Sequence, residues 1–475
     1  MKIRNLLLIA CCLAGPVVKA QEKWDLRRCV DYALENNISV RQADLQARFS
    51  ELTLKQGRAQ QLPSLNINGN TAMQFGLNDN PTTGILENAR FFSVGLQAQS
   101  QVTLFNWFSR VNTNKANELT LEADIEQTKK VQNDIALNVA VGYLQILLAR
   151  EQVKIAENTS EQTKAQLERT RKLVDAGQLP ELNAVQLEAQ LARDSANIVA
   201  GLASVQSFEL QLKALLNLDA AAPFEVSTPP VELIPIKSLA ELQPETVYAS
   251  ALANLPQQKV NEIRIRAAVK SMQAAKAGMY PSIGAFGSLG TNYVNTKIPV
   301  YGPGPLTETG ALVTIGGTQY AVQAPGRILL SETGMPLGRQ FRNNFGQNIG
   351  LALSIPILNG RANRTAWERA KLNVTNLELT KEQGDMQLKQ DIYKAYVDAT
   401  SALQQYNANK KAVTANETAY EFAQKRYDQG LLSTYDLLNT QITLQSARNQ
   451  MVLTQYDYVF KMKLLEFYRG QGLSL

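Results

Sequence analysis

No Pro and a single Gly, Gly142, interrupt the chain between Asn106 and Val174. Apolar residues recur there at helical spacing, as in Ile135, Val139, Gly142 and Ile146, or Leu137, Val141, Leu144 and Leu148. The Gln, Asn, Thr, Lys and Glu residues between them favour or tolerate a helix. With a rise of about 1.5 Å per residue, a helix over 107–175 is roughly 100 Å long, several times the diameter of a compact domain. No single globular core needs such a helix, so the rest of the chain has to be fitted alongside it.

Ahead of it, Trp24 to Asn36 begins an amphipathic helix with Leu26, Val30, Ala33 and Leu34 as its stripe. A second helix is expected from about Ser39 to Gln61, where Leu62-Pro63 stops it. The pattern then alternates, as a strand does. Leu65, Ile67, Gly69, Thr71, Met73 and Phe75 oppose Ser64, Asn66, Asn68, Asn70, Ala72 and Gln74, giving a strand at 64–76. A turn-rich stretch from Gly76 to Gly84 reverses the chain. A return strand at 92–105 sets Val94, Leu96, Ala98, Val102 and Leu104 against Ser93, Gln97, Gln99, Gln101 and Thr103. The pattern alone fits a soluble half-buried hairpin as well as strands with lipid on one side and water on the other. The long helix ends at Val174-Asp-Ala-Gly177, where Gly can cap and reverse it. A helix at 180–216 and a Pro-rich connector at 217–245 follow.

From here the chain repeats itself. Ala33-Leu-Glu-Asn36 matches Ala251-Leu-Ala-Asn254, and Pro63-Ser-Leu65 matches Pro281-Ser-Ile283, both at an offset of 218. Leu104-Phe-Asn106 matches Ile357-Leu-Asn359, and Ala176-Gly-Gln-Leu179 matches Gln429-Gly-Leu-Leu432, both at 253. The chain thus reads as a tandem duplication, with a first copy over 21–245 and a second over 246–475. The second copy holds a helix at 246–279, strands at 282–295 and 345–358, and helices at 361–428 and 432–468. Its strands alternate as the first pair do, with Ile283, Ala285, Leu289 and Tyr293, then Ile349, Leu351, Leu353, Ile355 and Ile357, on the apolar side. The extra residues of this copy fall between its strands, where Gly and Pro are frequent, and 296–344 is expected to be an unconstrained outer loop.

Residues 1–20 read as an export signal: Lys2 and Arg4, an apolar run from Leu6 to Ala14, and Val18-Lys-Ala20 before the cleavage point. Leu8-Ile-Ala-Cys11 resembles a lipoprotein processing site, but cleavage there leaves a very short apolar region. Loss of Lys2, Arg4 and Lys19 lowers the net charge from +6 to +3. That is weak for a nucleic-acid binder, and no basic patch with interleaved aromatics occurs. Cys11 and Cys12 leave with the signal, so Cys29 stands alone and no internal disulfide is expected. The chain has no His, which removes Ser-His and Cys-His catalysis and most zinc sites. No phosphate-cradling Gly loop occurs, and neither a catalytic group nor a cofactor is expected. After the signal no apolar run approaches the length of a membrane helix, so entry into a membrane would have to be as strands.

Four strands cannot close a barrel, for which about eight is the practical minimum. An open sheet with one lipid-like face leaves its edges unpaired, so the chain must associate with copies of itself. The repeated Pro-Ser-strand signature, the Leu104-Phe-Asn106 and Ile355-Pro-Ile-Leu-Asn-Gly360 junctions and the Gly-centred helix turns resemble the TolC-type outer membrane efflux proteins, over about residues 24–468. The resemblance implies a mostly α protomer with a small transmembrane β part. It also implies a homotrimer in which twelve strands form a β-barrel in the outer membrane, continued by an α-helical barrel through the periplasm. The connector and the chain ends would form an equatorial belt. The implied function is exit of substrates across the outer membrane in a tripartite efflux or type I secretion system, served by a periplasmic adaptor and an inner-membrane pump of RND or ABC type. The cargo is not encoded in such a chain.

In that family the helix turns at the periplasmic end dock the adaptor and close the pore. The docking pattern corresponds to Gly177, Gln178 and Leu179 and to Gly430, Leu431, Leu432 and Ser433; without partners these are helix caps only. The resemblance places the gate at Tyr427, Asp436, Asn439 and Asn183, with Arg426 nearby. Asn183 and Asn439 stand where the family has Asp, and Leu432 where some members have Arg. Three copies of Asp436 would ring the lumen with negative charge and attract cations. A different class of function, a periplasmic coiled-coil scaffold, predicts a protein that stays soluble without detergent. An enzyme has no supporting motif, since the many Glu-Lys pairs at helical spacing read as solvated faces.

Overall fold

The computed structural model describes residues 23–80, 84–228, 234 and 238–470. The signal segment at 1–20, the lipoprotein-like site and part of the Pro-rich connector lie outside the described residues. In chain order the elements are α1 (Leu26–Asn36), α2 (Ile38–Ala59), β1 (Ser64–Asp79), β2 (Leu86–Phe105), α3 (Ser109–Asp175), α4 (Glu181–Leu216), α5 (Pro244–Asn254), α6 (Pro256–Ala277), β3 (Ser282–Val294), β4 (Lys297–Ile315), β5 (Thr318–Gly334), α7 (Leu337–Asn343), β6 (Gly346–Ser354), α8 (Ala362–Asp428) and α9 (Thr434–Tyr468). α3 and α8 each run 67 residues, about 100 Å at the helical rise. Among the described residues no helix is long and apolar enough to cross a membrane. The chain divides into a helical unit (residues up to Leu52, Asn117–Ala268 and from Leu372 on) and a mixed unit (Thr53–Ala116 and Val269–Lys371).

The helical unit has two principal cores. One gathers Cys29 and Ala33 of α1, Val139, Tyr143 and Ile146 of α3, Leu212 of α4, and Val452 and Val459 of α9. The other gathers Val247 and Ala251 of α5, Ile392 and Ala399 of α8, and Met462 and Leu465 of α9. The correspondence between them is positional. Cys29 and Val247, like Ala33 and Ala251, stand 218 apart, while Val139 and Ile392, Ile146 and Ala399, and Leu212 and Leu465 stand 253 apart. These are the two offsets found in the sequence. The Cys29 thiol is enclosed on all sides, and burial pushes its pKa up to about 12. The connector is tied to the first core at Trp24, which bridges to Val226, and by Tyr143, whose hydroxyl donates to the Ser227 carbonyl at 2.7 Å.

In the mixed unit four antiparallel strands form one sheet in the order β1-β2-β3-β6. The register carries one face straight across it: Ile67 pairs with Ala98, Ala98 with Leu289, Val102 with Ala285, Ala285 with Leu351, and Ile283 with Leu353. The other face pairs Asn66 with Gln99, Gln99 with Ser288, and Ser288 with Asn348. Gly350 lies where a Cβ would stand 2.8 Å from the Phe286 ring, so its lack of a side chain admits that ring. The two junctions from sheet to long helix also match. Trp107 and Phe108 have φ of +53° and +62°, and Gly360 and Arg361, 253 residues on, have +58° and +63°. Two consecutive bulky residues in the left-handed region carry strain of roughly 1 kcal/mol or more each. Their rings are engaged: Phe105 lies 5.6 Å from Trp107, and Trp107 5.0 Å from Tyr280.

Three expectations change. Residues 296–344 are not an unconstrained loop: β4 and β5 pair as a long hairpin, and α7 follows. The single helix expected at 246–279 breaks at Leu255, because the residue before Pro256 is driven out of the helical region and takes ψ of 130°. Strand lengths also differ. β1 and β2 reach further toward their turn than 64–76 and 92–105, whereas β6 stops at Ser354 before Pro356, leaving Ile355 and Ile357 outside the ladder.

Candidate functional site

α3 and α8 end in the same way. Gly177 has φ of +72°, its N–H donates to the Val174 carbonyl at 2.8 Å, and Gln178 N–H donates to Leu173 at 2.9 Å. Gly430 has φ of +71°, with its N–H on Tyr427 at 2.9 Å and Leu431 N–H on Arg426 at 2.9 Å. This pair of bonds is a Schellman cap, which satisfies the last carbonyls and requires a left-handed residue where Gly stands. The following helices start differently. α4 follows Pro180 with no side-chain cap. At α9 the Asp436 N–H donates to Ser433 Oγ at 3.1 Å, and the Ser433 hydroxyl donates to Asp436 Oδ2 at 2.6 Å.

Of the turn residues, Gly177, Gln178, Gly430, Leu431 and Ser433 are exposed, Leu431 at 64%. Leu179 and Leu432 are half-buried, and Leu432 packs against Tyr420, Tyr427 and Leu437. Of the three leucines in the docking pattern, Leu431 alone is exposed. Four exposed apolar residues near the turns were not singled out in the sequence: Leu182, Val185, Phe422 and Tyr435. Their signal was available. Leu182 and Val185 form a second apolar row on α4 beside the buried Ala184 and Leu187, one row more than a single core contact uses.

The residues assigned to the gate do not form one cluster. Tyr427 is buried, and its hydroxyl bonds Thr170 of α3 at 3.0 Å and Thr434 of α9 at 3.2 Å. Asp436, Asn439 and Arg426 are exposed and Asn183 is half-buried; among the described residues no side-chain bond joins any of these four to another. The links between the α3–α4 and α8–α9 hairpins are instead Tyr427 to Thr170, Arg169 to Asp428 at 2.9 Å, and a buried polar chain. In that chain the Asp194 carboxylate accepts from the Thr163 hydroxyl at 2.7 Å and from the Gln190 amide at 2.8 Å, and Gln441 of α9 donates to Thr163 Oγ1 at 2.9 Å. Asp194 is fully buried and has no ion-pair partner among the described residues, so those two donors supply its local polar contacts. Sequence reading missed Thr163, Gln190, Asp194 and Gln441, because polar residues on a helix resemble a solvated face until a facing helix is placed.

The second part of the site is the sheet. Its apolar face has no cover: Ile67 is 74% exposed and Ile349 90%. Both outer strands, β1 and β6, keep a free edge among the described residues. β6 is nine residues long, about the length that crosses a hydrocarbon core when tilted.

The family model for outer membrane efflux proteins matches residues 29–218 and 247–465. The outer membrane protein TolC of Escherichia coli is 22% identical over 434 residues, covering 88% of this chain and 76% of its own. The alkaline protease secretion protein AprF of Pseudomonas aeruginosa is 20% identical over 444 residues, covering 92% of this chain and 82% of its own. Among solved structures, CusC superposes with a TM-score of 0.74 at 18% identity, over 94% of this chain and 92% of the other. The chain belongs to the outer membrane efflux protein family.

Proposed function

We propose that three copies of this chain form a channel whose twelve-stranded barrel lies in the outer membrane and whose long helices carry the conduit into the periplasm. The observation that carries this reading is the four-stranded sheet, apolar on one face, polar on the other and unpaired at both edges. Three such sheets joined β6 to β1 leave no edge, which is the condition for strands in lipid. The apolar face meets outer membrane lipid, and the Asn and Gln face lines water. The aromatic residues Phe105, Trp107, Phe108 and Tyr280 gather where the strands end, as interfacial aromatics do. The matching cores and junctions at offsets of 218 and 253 support a tandem duplication with copies over 21–245 and 246–475.

The turns at Gly177 and Gly430 are then the periplasmic tip. Leu431 and the other exposed apolar residues near the two turns, Leu182, Val185, Phe422 and Tyr435, offer apolar surface to a periplasmic adaptor, which couples the channel to an inner-membrane pump of RND or ABC type. Tyr427, with Thr170 and Thr434, holds the tip closed. Asp436 supplies a ring of negative charge toward the lumen, with Asn439 and Asn183 as its uncharged neighbours and Arg426 beside it. No chemical step is involved; transport through the conduit is passive.

The test is the mass and conductance of the detergent-extracted protein. A three-chain mass by native mass spectrometry, with stepwise cation-preferring conductance in a planar bilayer, supports the reading. A protein that stays soluble and monomeric without detergent, or that never conducts, refutes it. Asp436→Asn keeps an acceptor for the Ser433 hydroxyl and removes only charge, so it should lower cation preference. Unchanged selectivity would remove Asp436 from the ring. A photoreactive label on Leu431→Cys in intact cells should capture a periplasmic adaptor.

A further inference from the structure

The β4–β5 hairpin is the part of the mixed unit that the channel reading leaves without a role. It leaves the sheet at Val294 and returns at Gly346, at the same end as the β1–β2 turn and opposite the long helices. β4 is 19 residues long, about 60 Å at the strand rise. A barrel of twelve strands spaced about 4.8 Å apart and tilted near 40° is roughly 25 Å across, so the hairpin is longer than the mouth is wide.

Its base is fixed. The Gln340 side chain of α7 accepts from Val294 N–H at 3.0 Å and donates to Val294 C=O at 2.8 Å, filling the place of a neighbouring strand. Thr291 bonds the Phe341 carbonyl at 2.7 Å, and Asn344 bonds Asn292 at 2.8 Å. Its outer half is bare. Val313, Ile315 and Tyr320 share one face of the tip by register, and the last two are 65% and 56% exposed. An isolated two-stranded hairpin is marginal in water, and an apolar hairpin with two free edges invites pairing. The prolines mark where pairing is blocked. Pro299, Pro303 and Pro305 blunt the base of β4 and Pro325 interrupts β5 opposite Leu306, while Leu306 to Ile315 and Thr318 to Ala324 have none. The charges are complementary as well. Lys297 and Glu332 pair with each other at 3.4 Å. That leaves Glu308 on β4, level with Gln323, and Arg327 on β5, level with Pro303; neither has an ion-pair partner among the described residues, and they meet only where neighbouring hairpins are staggered along their length.

We propose that this hairpin is a self-association element: the outer half of β4 in one copy lies edge to edge against β5 in the next, gathering the three tips over the outer mouth of the channel. The occupant is a second copy of this chain, because the open sheet already requires copies side by side and rotation about their common axis brings the hairpins to the same end. A contact between two different edges, one carrying Glu308 and the other Arg327, is head-to-tail, and under rotation such a contact closes into a ring. This inference rests on the three-copy reading, and the experiment separates the two.

Ile315→Cys in a Cys29→Ser background is treated in intact outer membranes with a short bis-maleimide, and the same preparation is weighed by native mass spectrometry. The proposal expects most chains to run as cross-linked dimers in denaturing gels. It also expects Glu308→Arg to lower the yield at least fivefold and Glu308→Arg with Arg327→Glu to restore it. A three-chain mass with no cross-link overturns the hairpin proposal and leaves the channel reading standing; a one-chain mass overturns both. A full yield that Glu308→Arg does not change refutes the edge-to-edge arrangement.

Discussion

Tyr427 shows what a single hydroxyl holds in place. It sits among apolar neighbours and is satisfied by two threonines on two different helices, Thr170 of α3 and Thr434 of α9. A bond of this kind contributes about 1 kcal/mol net, and in the proposed trimer three copies act together at one tip. Tyr427→Phe is expected to raise the fraction of time the channel conducts; an unchanged open fraction would move the gate elsewhere. Cys29 gives a second prediction at this scale. With its thiol pushed up to about 12, only about one molecule in ten thousand is thiolate at pH 8, against roughly a quarter of an ordinary free cysteine. Maleimide should therefore leave the folded protein unlabelled over the time in which the denatured chain is fully labelled, with the folded rate rising only toward pH 12. The family pattern pointed to Tyr427, whose place is counted from Gly430. It could not name Thr170 or the Asp194–Thr163–Gln441 chain. Partners across helices hundreds of residues apart in sequence are set by packing, and no local pattern records them.

Elements were legible in proportion to how regular their period is. The alternation of Leu65, Ile67 and their neighbours marks both a strand and its apolar face, and the register carries that face across all four strands. Pro63 and Pro281 mark strand starts as clearly as Gly177 and Gly430 mark helix ends. The β4–β5 hairpin was hidden, because its ladder slips between Val300 and Tyr301, Pro303 and Leu306, and Glu308 and Leu312. Each slip resets the two-residue period, and Gly302, Gly304 and Pro305 give the stretch the composition of a loop. Gln340 gives the test at this scale. Gln340→Ala strips Val294 of both side-chain bonds, and leaving such groups unpaired costs about 1 to 3 kcal/mol. Exchange of the Val294 amide should speed up by about tenfold to a hundredfold, with proteolysis rising within 297–345. Unchanged exchange would mean that α7 does not hold the hairpin base.

At the scale of the whole molecule, the chain carries apolar surfaces that it cannot cover by itself. Among the described residues nothing covers the apolar face of the sheet or pairs with its two outer edges, and the outer hairpin has a bare tip. That the sheet does not close by itself was legible from strand count alone, because four strands are too few. The cargo is absent from the sequence for an equally physical reason: in the proposed channel the polar face of Asn, Gln and Ser lines the lumen and bonds water rather than one chosen solute. The central claim is that the sheet has one face in lipid and the other in water. The direct measurement is a nitroxide scan of β6 from Gly346 to Ser354 in the reconstituted protein, one position at a time, with oxygen and a water-soluble nickel complex as relaxants. The account predicts oxygen accessibility peaking at Ile349, Leu351 and Leu353 and nickel accessibility peaking at Asn348, Gly350 and Ala352. Accessibility without this two-residue alternation, or nickel access at every position, would contradict it.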